Sequence, residues 1–129
     1  DIVSPFTARA FADVQNATFI AVFGNNDGEK LCLTSTIKAF GGQIYENVAN
    51  IEIEGKKIFM THIPSTIEEV IETGHYDLVI YGHTHCQDIR KVGNTLVINP
   101  GESTDWITGK SSVVILDLKD MDYKVVKIK

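Results

Sequence analysis

The sequence predicts a layered α/β sandwich with mixed β-sheets, and three observations carry that reading. Helical periodicity alternates with short apolar runs through the first half of the chain. Strand pairs separated by turn residues dominate the second half. The 129 residues are 43% hydrophobic, which supplies one core and little more, so residues 1–129 are read as a single domain.

Each element has its own signal. Ser4 and Pro5 suit an N-cap and a first helical position, and Phe6, Ala10 and Val14 recur at helical spacing, which predicts an amphipathic helix through about residue 15. Residues 18–23 are apolar and partly β-branched and stop at Gly24-Asn25-Asn26-Asp27-Gly28, a buried strand ending in a tight loop. Leu33, Ile37 and Phe40 mark one face of a second helix closed by Gly41-Gly42, with Asp27 placed to cap it. Ile51 and Ile53 alternate with Glu52 and Glu54 before a turn at Gly55 and a second apolar run at 58–60, which predicts a hairpin with one wet face. Ser65 and Glu68 have capping-box spacing, and Ile67, Val70 and Ile71 form the buried stripe of a third helix ending near Gly74. Residues 77–81, 89–92, 96–98, 113–118 and 123–128 are strand-like.

Composition excludes several function classes. The apolar runs are far shorter than the roughly 20 residues that cross a bilayer, so no membrane-spanning helix is expected. Twelve Lys and Arg against 17 Asp and Glu give a net charge of -5, which leaves no basic track for extended nucleic-acid binding. Cys32 and Cys86 are too few for a disulfide framework and form no CxxC pair, which predicts reduced thiols in a cytoplasmic protein. The chain opens on Asp1 without an initiating Met, so an upstream segment is expected, and the lack of a signal peptide carries no weight.

Of the four histidines, His62, His83 and His85 fall just after apolar strand runs. Neutral imidazole is the commonest ligand of first-row metals, and loops after strands can aim several such groups into one crevice. Asn25 has the same setting and offers an amide oxygen, and Asp1 offers a carboxylate. His75, after Gly74, is read as a residue of the helix C-terminus, favoured by the dipole. Asn99-Pro100-Gly101 is read as a turn that buttresses the site through backbone contacts, and Cys86 as a packing residue. Glu102 and Trp106 lie in a Gly- and Thr-rich loop from which they could touch substrate.

Gly82-His83-Thr84-His85, Gly24-Asn25-Asn26-Asp27, Thr61-His62 and Asn99-Pro100-Gly101, in this order with Asp1-Ile2-Val3 at the start, resemble the signatures of the calcineurin-like metallophosphoesterases. The likeness covers essentially the whole chain and is greatest to the small archaeal and bacterial phosphodiesterases of that family. It implies an αββα sandwich of mixed sheets flanked by helices, here lacking its N-terminal βαβ portion. It implies hydrolysis of small phosphodiesters at two divalent transition-metal ions, with Mn the first choice and Ni, Fe, Co or Zn the others. By resemblance Asp1 bridges the two ions, Asn25, His62 and His83 complete the shell of one, and His85 serves the other. Two such ions about 3.5 to 4 Å apart can share a bridging hydroxide and clamp phosphoryl oxygens.

Three departures accompany the likeness. The family's opening DxH motif does not occur, so the missing N-terminal segment is expected to pack on this chain. Asn26 stands where many relatives carry a general-acid His, and Ile63-Pro64 follows His62 where Gly is usual. The alternative function on the same fold is a non-catalytic scaffold, as in a retromer subunit. A homo-oligomer is compatible with either reading.

Overall fold

The computed structural model describes residues 1–14 and 16–128. The chain divides into two compact units, Asp1–Ala49 and Asn50–Lys129.

The first unit starts with helix α1 (Pro5–Arg9). Ser4 is extended, its Oγ accepts a hydrogen bond from the Phe6 N–H at 3.2 Å, and Pro5 supplies a preset φ, so this helix begins as the sequence requires. Its buried face is a different one. Ala8 is the residue packed against Leu33 and Ile37, while Phe6 is 78% exposed and Ala10 and Val14 also face solvent. The chain leaves the helix after Arg9, so the four-residue repeat from Phe6 to Val14 has no continuous helix to align it; the expected end at residue 15 lies outside the described residues.

Strand β1 (Ile20–Val22) pairs in parallel with β2 (Gln43–Tyr45), and helix α2 (Lys30–Ala39) makes the crossover between them. Leu33 and Ile37, one turn apart, are fully buried and meet Phe19, Phe23, Phe40 and Ile44. Gly41 ends the helix at φ +84, a conformation that costs glycine nothing, and Gly42 N–H reaches back to the Ile37 carbonyl at 3.0 Å. The residue at the N-cap is Glu29, with no side-chain bond, so Asp27 does not cap this helix.

The second unit holds a mixed sheet in the order β3-β4-β5-β7-β6, formed by β3 (Val48–Ile53), β4 (Lys56–Thr61), β5 (Leu78–Ile80), β6 (Asp88–Val92) and β7 (Thr95–Asn99). Glu54 and Gly55 turn β3 into β4 with φ of 51° and 75°, the pair of positive values a two-residue hairpin loop favours. β4, β5 and β7 run parallel, with Phe59 beside Val79 beside Val97 and Ile58 beside Leu78 beside Leu96, while β6 is antiparallel to β7. Alternation then divides the side chains into two cores. Phe59, Val79, Tyr81 and Val97 face Ile67 and Ile71 of helix α3 (Ile67–Glu72). Ile58, Leu78, Leu96 and Ile98 face Val114 and Leu116 of β8 (Ser112–Leu116), which pairs antiparallel with β9 (Tyr123–Lys127). This is the expected layered arrangement of helix, mixed sheet and second sheet.

The capping box does not form. The N-cap of α3 is Thr66, without a side-chain bond, and the carboxylate of Glu68 is taken by the Arg90 guanidinium of β6. A bidentate, charge-assisted pair outweighs a bond to a single N–H. Among the described residues no helix is long and apolar enough to cross a membrane.

The two-sided burial of β5 makes a direct prediction. Leu78→Ala should lower stability by about 2–5 kcal/mol, because Leu78 is enclosed by the β8–β9 layer. Ile115→Ala, on the exposed face of β8, should change it by less than about 0.5 kcal/mol. Urea denaturation midpoints at constant slope check both.

Candidate functional site

Parallel β4, β5 and β7 finish on one edge of the sheet, and ligands of α/β sheets bind outside such carboxyl ends. His62 directly follows β4, Gly82-His83-Thr84-His85 follows β5 and Tyr81, and Asn99 is the last residue of β7. The rings of His62 and His83 stand edge to face, 5.2 Å between centroids. Backbone bonds hold this edge together, with Gly82 N–H donating to the His62 carbonyl at 3.1 Å and Tyr81 N–H to that of Ile98 at 3.0 Å.

His83 and His85 both adopt the left-handed conformation, at φ of 68° and 59°. For L-residues this costs about 1–2 kcal/mol each, so other bonds must hold the loop. Asn99, fully buried, supplies them: its Nδ2 donates to the Gly82 carbonyl at 3.2 Å and to Thr84 Oγ1 at 2.9 Å, and its Oδ1 accepts from Gly101 N–H at 3.0 Å. The buttress expected at Asn99-Pro100-Gly101 is present, but it acts through the Asn99 amide at the end of a strand rather than through backbone contacts of a turn. A side chain that donates twice and accepts once can tie the Gly82–Thr84 loop to the chain at Gly101, which no single peptide group can do.

A second loop, residues 102–110, is organised from inside by Glu102. Its Oε1 accepts from Thr104 Oγ1 and Ile107 N–H, and its Oε2 accepts from Thr108 N–H and Thr108 Oγ1, all at 2.8–2.9 Å. Burial pushes this carboxyl up, but the bonds from Ile107, Thr108 and Thr104 outweigh burial and hold it down at about 2. His85 Nδ1 lies 3.9 Å from Glu102 Oε1. Glu102 is thus the hub of its loop rather than a free substrate contact, while Trp106 on the same loop is 90% exposed. Its spacing to two threonines in a Gly-containing segment was the available signal for that hub. On the helix-facing side of the sheet, Tyr81 Oη donates to Asp88 Oδ2 at 2.6 Å, and burial with that bond pushes the phenol up to about 12.

In the first unit, Asp1 packs over Gly24. A Cβ on Gly24 would stand 1.8 Å from Asp1 Oδ1, so only glycine leaves room for the carboxylate. Asn26 then fixes its orientation, with N–H donating to Oδ1 at 2.9 Å and Nδ2 to Oδ2 at 3.0 Å. Asp27, read from sequence as a helix cap, is a clamp instead. Its Oδ1 accepts from the N–H groups of Ile2 and Val3 at 2.8 and 2.6 Å, and its Oδ2 from Gly24 N–H at 2.7 Å. Three converging N–H groups outcompete the orphan donors at the start of α2, three residues further on. Asn25 sits in the turn at the exposed tip of the same loop without a left-handed backbone, so a need for positive φ does not account for Asn at this position.

The predicted residues thus fall into two sets: Asp1, Asn25 and Asn26 in the first unit, and His62, His83 and His85 in the second. Among the described residues no three His, Cys, Asp or Glu side chains already form a metal cage. The donor chemistry nonetheless fits divalent transition metals, since it combines imidazole nitrogens with a carboxylate and an amide oxygen. The space kept open for that carboxylate by Gly24 fits it as well.

Comparison with known proteins gives a consistent result. The sequence profile of the calcineurin-like phosphoesterase superfamily domain matches residues 1–121. Phosphodiesterase MJ0936 of Methanocaldococcus jannaschii is 40% identical over 98% of this chain and 77% of its own length. A solved structure described as a novel archaeal phosphodiesterase superposes with a TM-score of 0.92 at 39% identity, covering 99% of this chain and 79% of that one. Vps29 of Entamoeba histolytica in complex with zinc shares the fold, with a TM-score of 0.60 at 15% identity over 97% of this chain and 88% of that one.

Two outcomes follow from the loop hubs. Asn99→Ala leaves the Gly82 carbonyl and Thr84 hydroxyl without their buried donor and should destabilise by about 1–3 kcal/mol, with faster amide exchange at Thr84 and Cys86. Glu102 lies at about 2, below its ordinary 4.5, so its stabilisation of the loop is complete above pH 4.5 and is lost as pH falls toward 2. Proton exchange at the Ile107 and Thr108 amides should accelerate across that window relative to the intrinsic rate, and Glu102→Gln should remove the pH dependence.

Proposed function

The chain belongs to the calcineurin-like phosphoesterase superfamily, and on that premise we propose that it is a metal-dependent phosphodiesterase acting on small phosphate diesters. The single observation that carries this reading is the pairing of His62 and His83 at the carboxyl ends of neighbouring parallel strands, with His85 two residues further on. The 40% identity to a protein named as a phosphodiesterase supports the diester as substrate class.

In this proposal the residues that would ligate two divalent ions are Asp1 and Asn25 of the first unit and His62, His83 and His85 of the second. Nitrogen and oxygen donors suit Mn, Fe, Co, Ni or Zn better than Mg or Ca, and Mn is the first to test. When bound, such ions polarise phosphoryl oxygens and supply an ionised water at neutral pH. His62 and His83 contribute neutral nitrogens and leave the ions' charge uncancelled for an anionic substrate. The left-handed backbone at His83 and His85, locked by Asn99, removes the freedom of two ligands before a metal arrives. Asn26 orients Asp1, and an amide at that position has no proton to deliver to a leaving alkoxide at neutral pH. The exposed, unpaired thiols of Cys32 and Cys86 support a reducing compartment such as the cytoplasm.

The test is hydrolysis of a series of aryl and alkyl phosphodiesters by the metal-loaded protein. Without a general acid, which contributes roughly 10²–10⁴-fold, turnover should be low and should fall steeply as the pKa of the leaving alcohol rises. Asn26→His should flatten that dependence. His83→Ala should abolish activity and weaken metal binding measured by calorimetry. A fully active His83→Ala variant rejects the proposed centre, and a shallow leaving-group dependence reveals another acid. Absence of turnover with every diester would favour a scaffold.

A further inference from the structure

The Tyr81 hydroxyl makes a demand that packing does not explain. Its ring lies in the core with Phe59, Val79 and Val97, where phenylalanine would fill nearly the same volume and need no polar partner. Instead the Oη donates to Asp88 Oδ2 at 2.6 Å. The same Oδ2 accepts from Arg90 Nε at 3.1 Å, and the Arg90 guanidinium forks onto both carboxylate oxygens of Glu68, with Nη1 3.3 Å from Oε2 and Nη2 donating to Oε1. Asn99, the cross-strand partner of Asp88, also reaches the phenol with its side chain. One polar chain thus runs from α3 across β6 to the residue after β5.

Both ends of that chain adjoin a segment that carries a candidate ligand. Glu68 is in the first turn of α3, the helix that follows His62, and Tyr81 directly precedes Gly82-His83. The His62 ring packs over Gly82, where an added Cβ would meet its Nδ1 at 3.4 Å, and Gly82 N–H donates to the His62 carbonyl. The Gly82 carbonyl in turn accepts from Asn99. Isolated ion pairs at a surface add little to stability, and the side chains of Arg90 and Glu68 are 35% and 62% exposed. A bidentate guanidinium joined to a second carboxylate contributes geometric specificity as well as energy.

We propose that Tyr81 is a positioning residue whose hydroxyl, anchored through Asp88 and Arg90 to Glu68, sets the approach of the His62 and His83 rings. The geometry carries the positioning itself, and its purpose, a metal held by those rings, rests on the phosphodiesterase reading. Beyond the ends of β4 and β5 the strand ladder no longer holds the two segments together. A string of charge-assisted bonds on the helix-facing side restrains them there, so the ring pair is set before an ion arrives.

The experiment compares Tyr81→Phe with Ile71→Val, a control that trims the same core without touching the polar chain. The two changes cost similar stability, so a purely structural role predicts that both proteins behave alike. In metal-free protein, the nuclear Overhauser contact between the His62 and His83 ring protons should weaken in Tyr81→Phe and persist in Ile71→Val. Arg90→Lys, which keeps the charge but loses the fork, should weaken it in the same direction. In the second arm Mn²⁺ is titrated by calorimetry, and Tyr81→Phe should bind it about tenfold more weakly than the parent or Ile71→Val, the low end for groups behind a metal's ligands. A ring contact unchanged in Tyr81→Phe, or lost equally in Ile71→Val, overturns the positioning role. An Arg90→Lys protein indistinguishable from the parent overturns the anchoring to α3. A parent protein that binds no Mn²⁺ rejects the metal-dependent reading, and the ring contact still decides the role of Tyr81.

Discussion

The architecture of the second unit depends on three parallel strands, β4, β5 and β7, being buried on both faces. A strand covered on both sides must alternate between two apolar environments, which is why Phe59, Val79 and Val97 serve one core and Ile58, Leu78 and Leu96 the other. Register is then fixed tightly, because a slip of one residue would exchange the two sets. The same constraint aligns the carboxyl ends of the strands and brings His62 beside His83. Burial of apolar residues within the sheet therefore decides where these two candidate ligands stand.

At the strand ends a different device takes over. Asp27, Asn99 and Glu102 are all buried, and each satisfies several donors or acceptors in an irregular loop. Loops carry unpaired peptide groups, and a buried carboxylate or amide can satisfy three or four of them at once. Each of these three adjoins a candidate ligand: Asp27 holds the Asp1 segment, Asn99 the His83 loop, and Glu102 the loop next to His85. Rigidity in these loops thus arises from polar hubs, whereas the five-stranded sheet of the second unit is held by apolar packing.

The contrast explains what could be read in advance. Strands and the stripes of α2 and α3 follow from apolar period and turn residues, and four ligand candidates, Asn25, His62, His83 and His85, follow from their positions after such runs, with Asp1 added for its carboxylate at the start of the sequence. Local motifs misled where a distant partner made a stronger bond. Ser65 and Glu68 have capping-box spacing, but Arg90, 22 positions from Glu68, takes the carboxylate. Asp27 precedes a helix, but the N–H groups of Ile2 and Val3 reach it first. The face of α1 was misread because two helices met at the small Ala8 rather than at Phe6.

The left-handed histidines have a consequence for how this sequence can change. Glycine at position 83 or 85 would relax the backbone without disturbing the Asn99 bonds, which reach Gly82 and Thr84. Selection for stability alone would therefore favour replacing the histidines that the proposed centre requires. Their presence in strained positions sets conformational comfort against chemistry, and a lineage released from catalysis should drift toward glycine there while its Asn99 anchor persists.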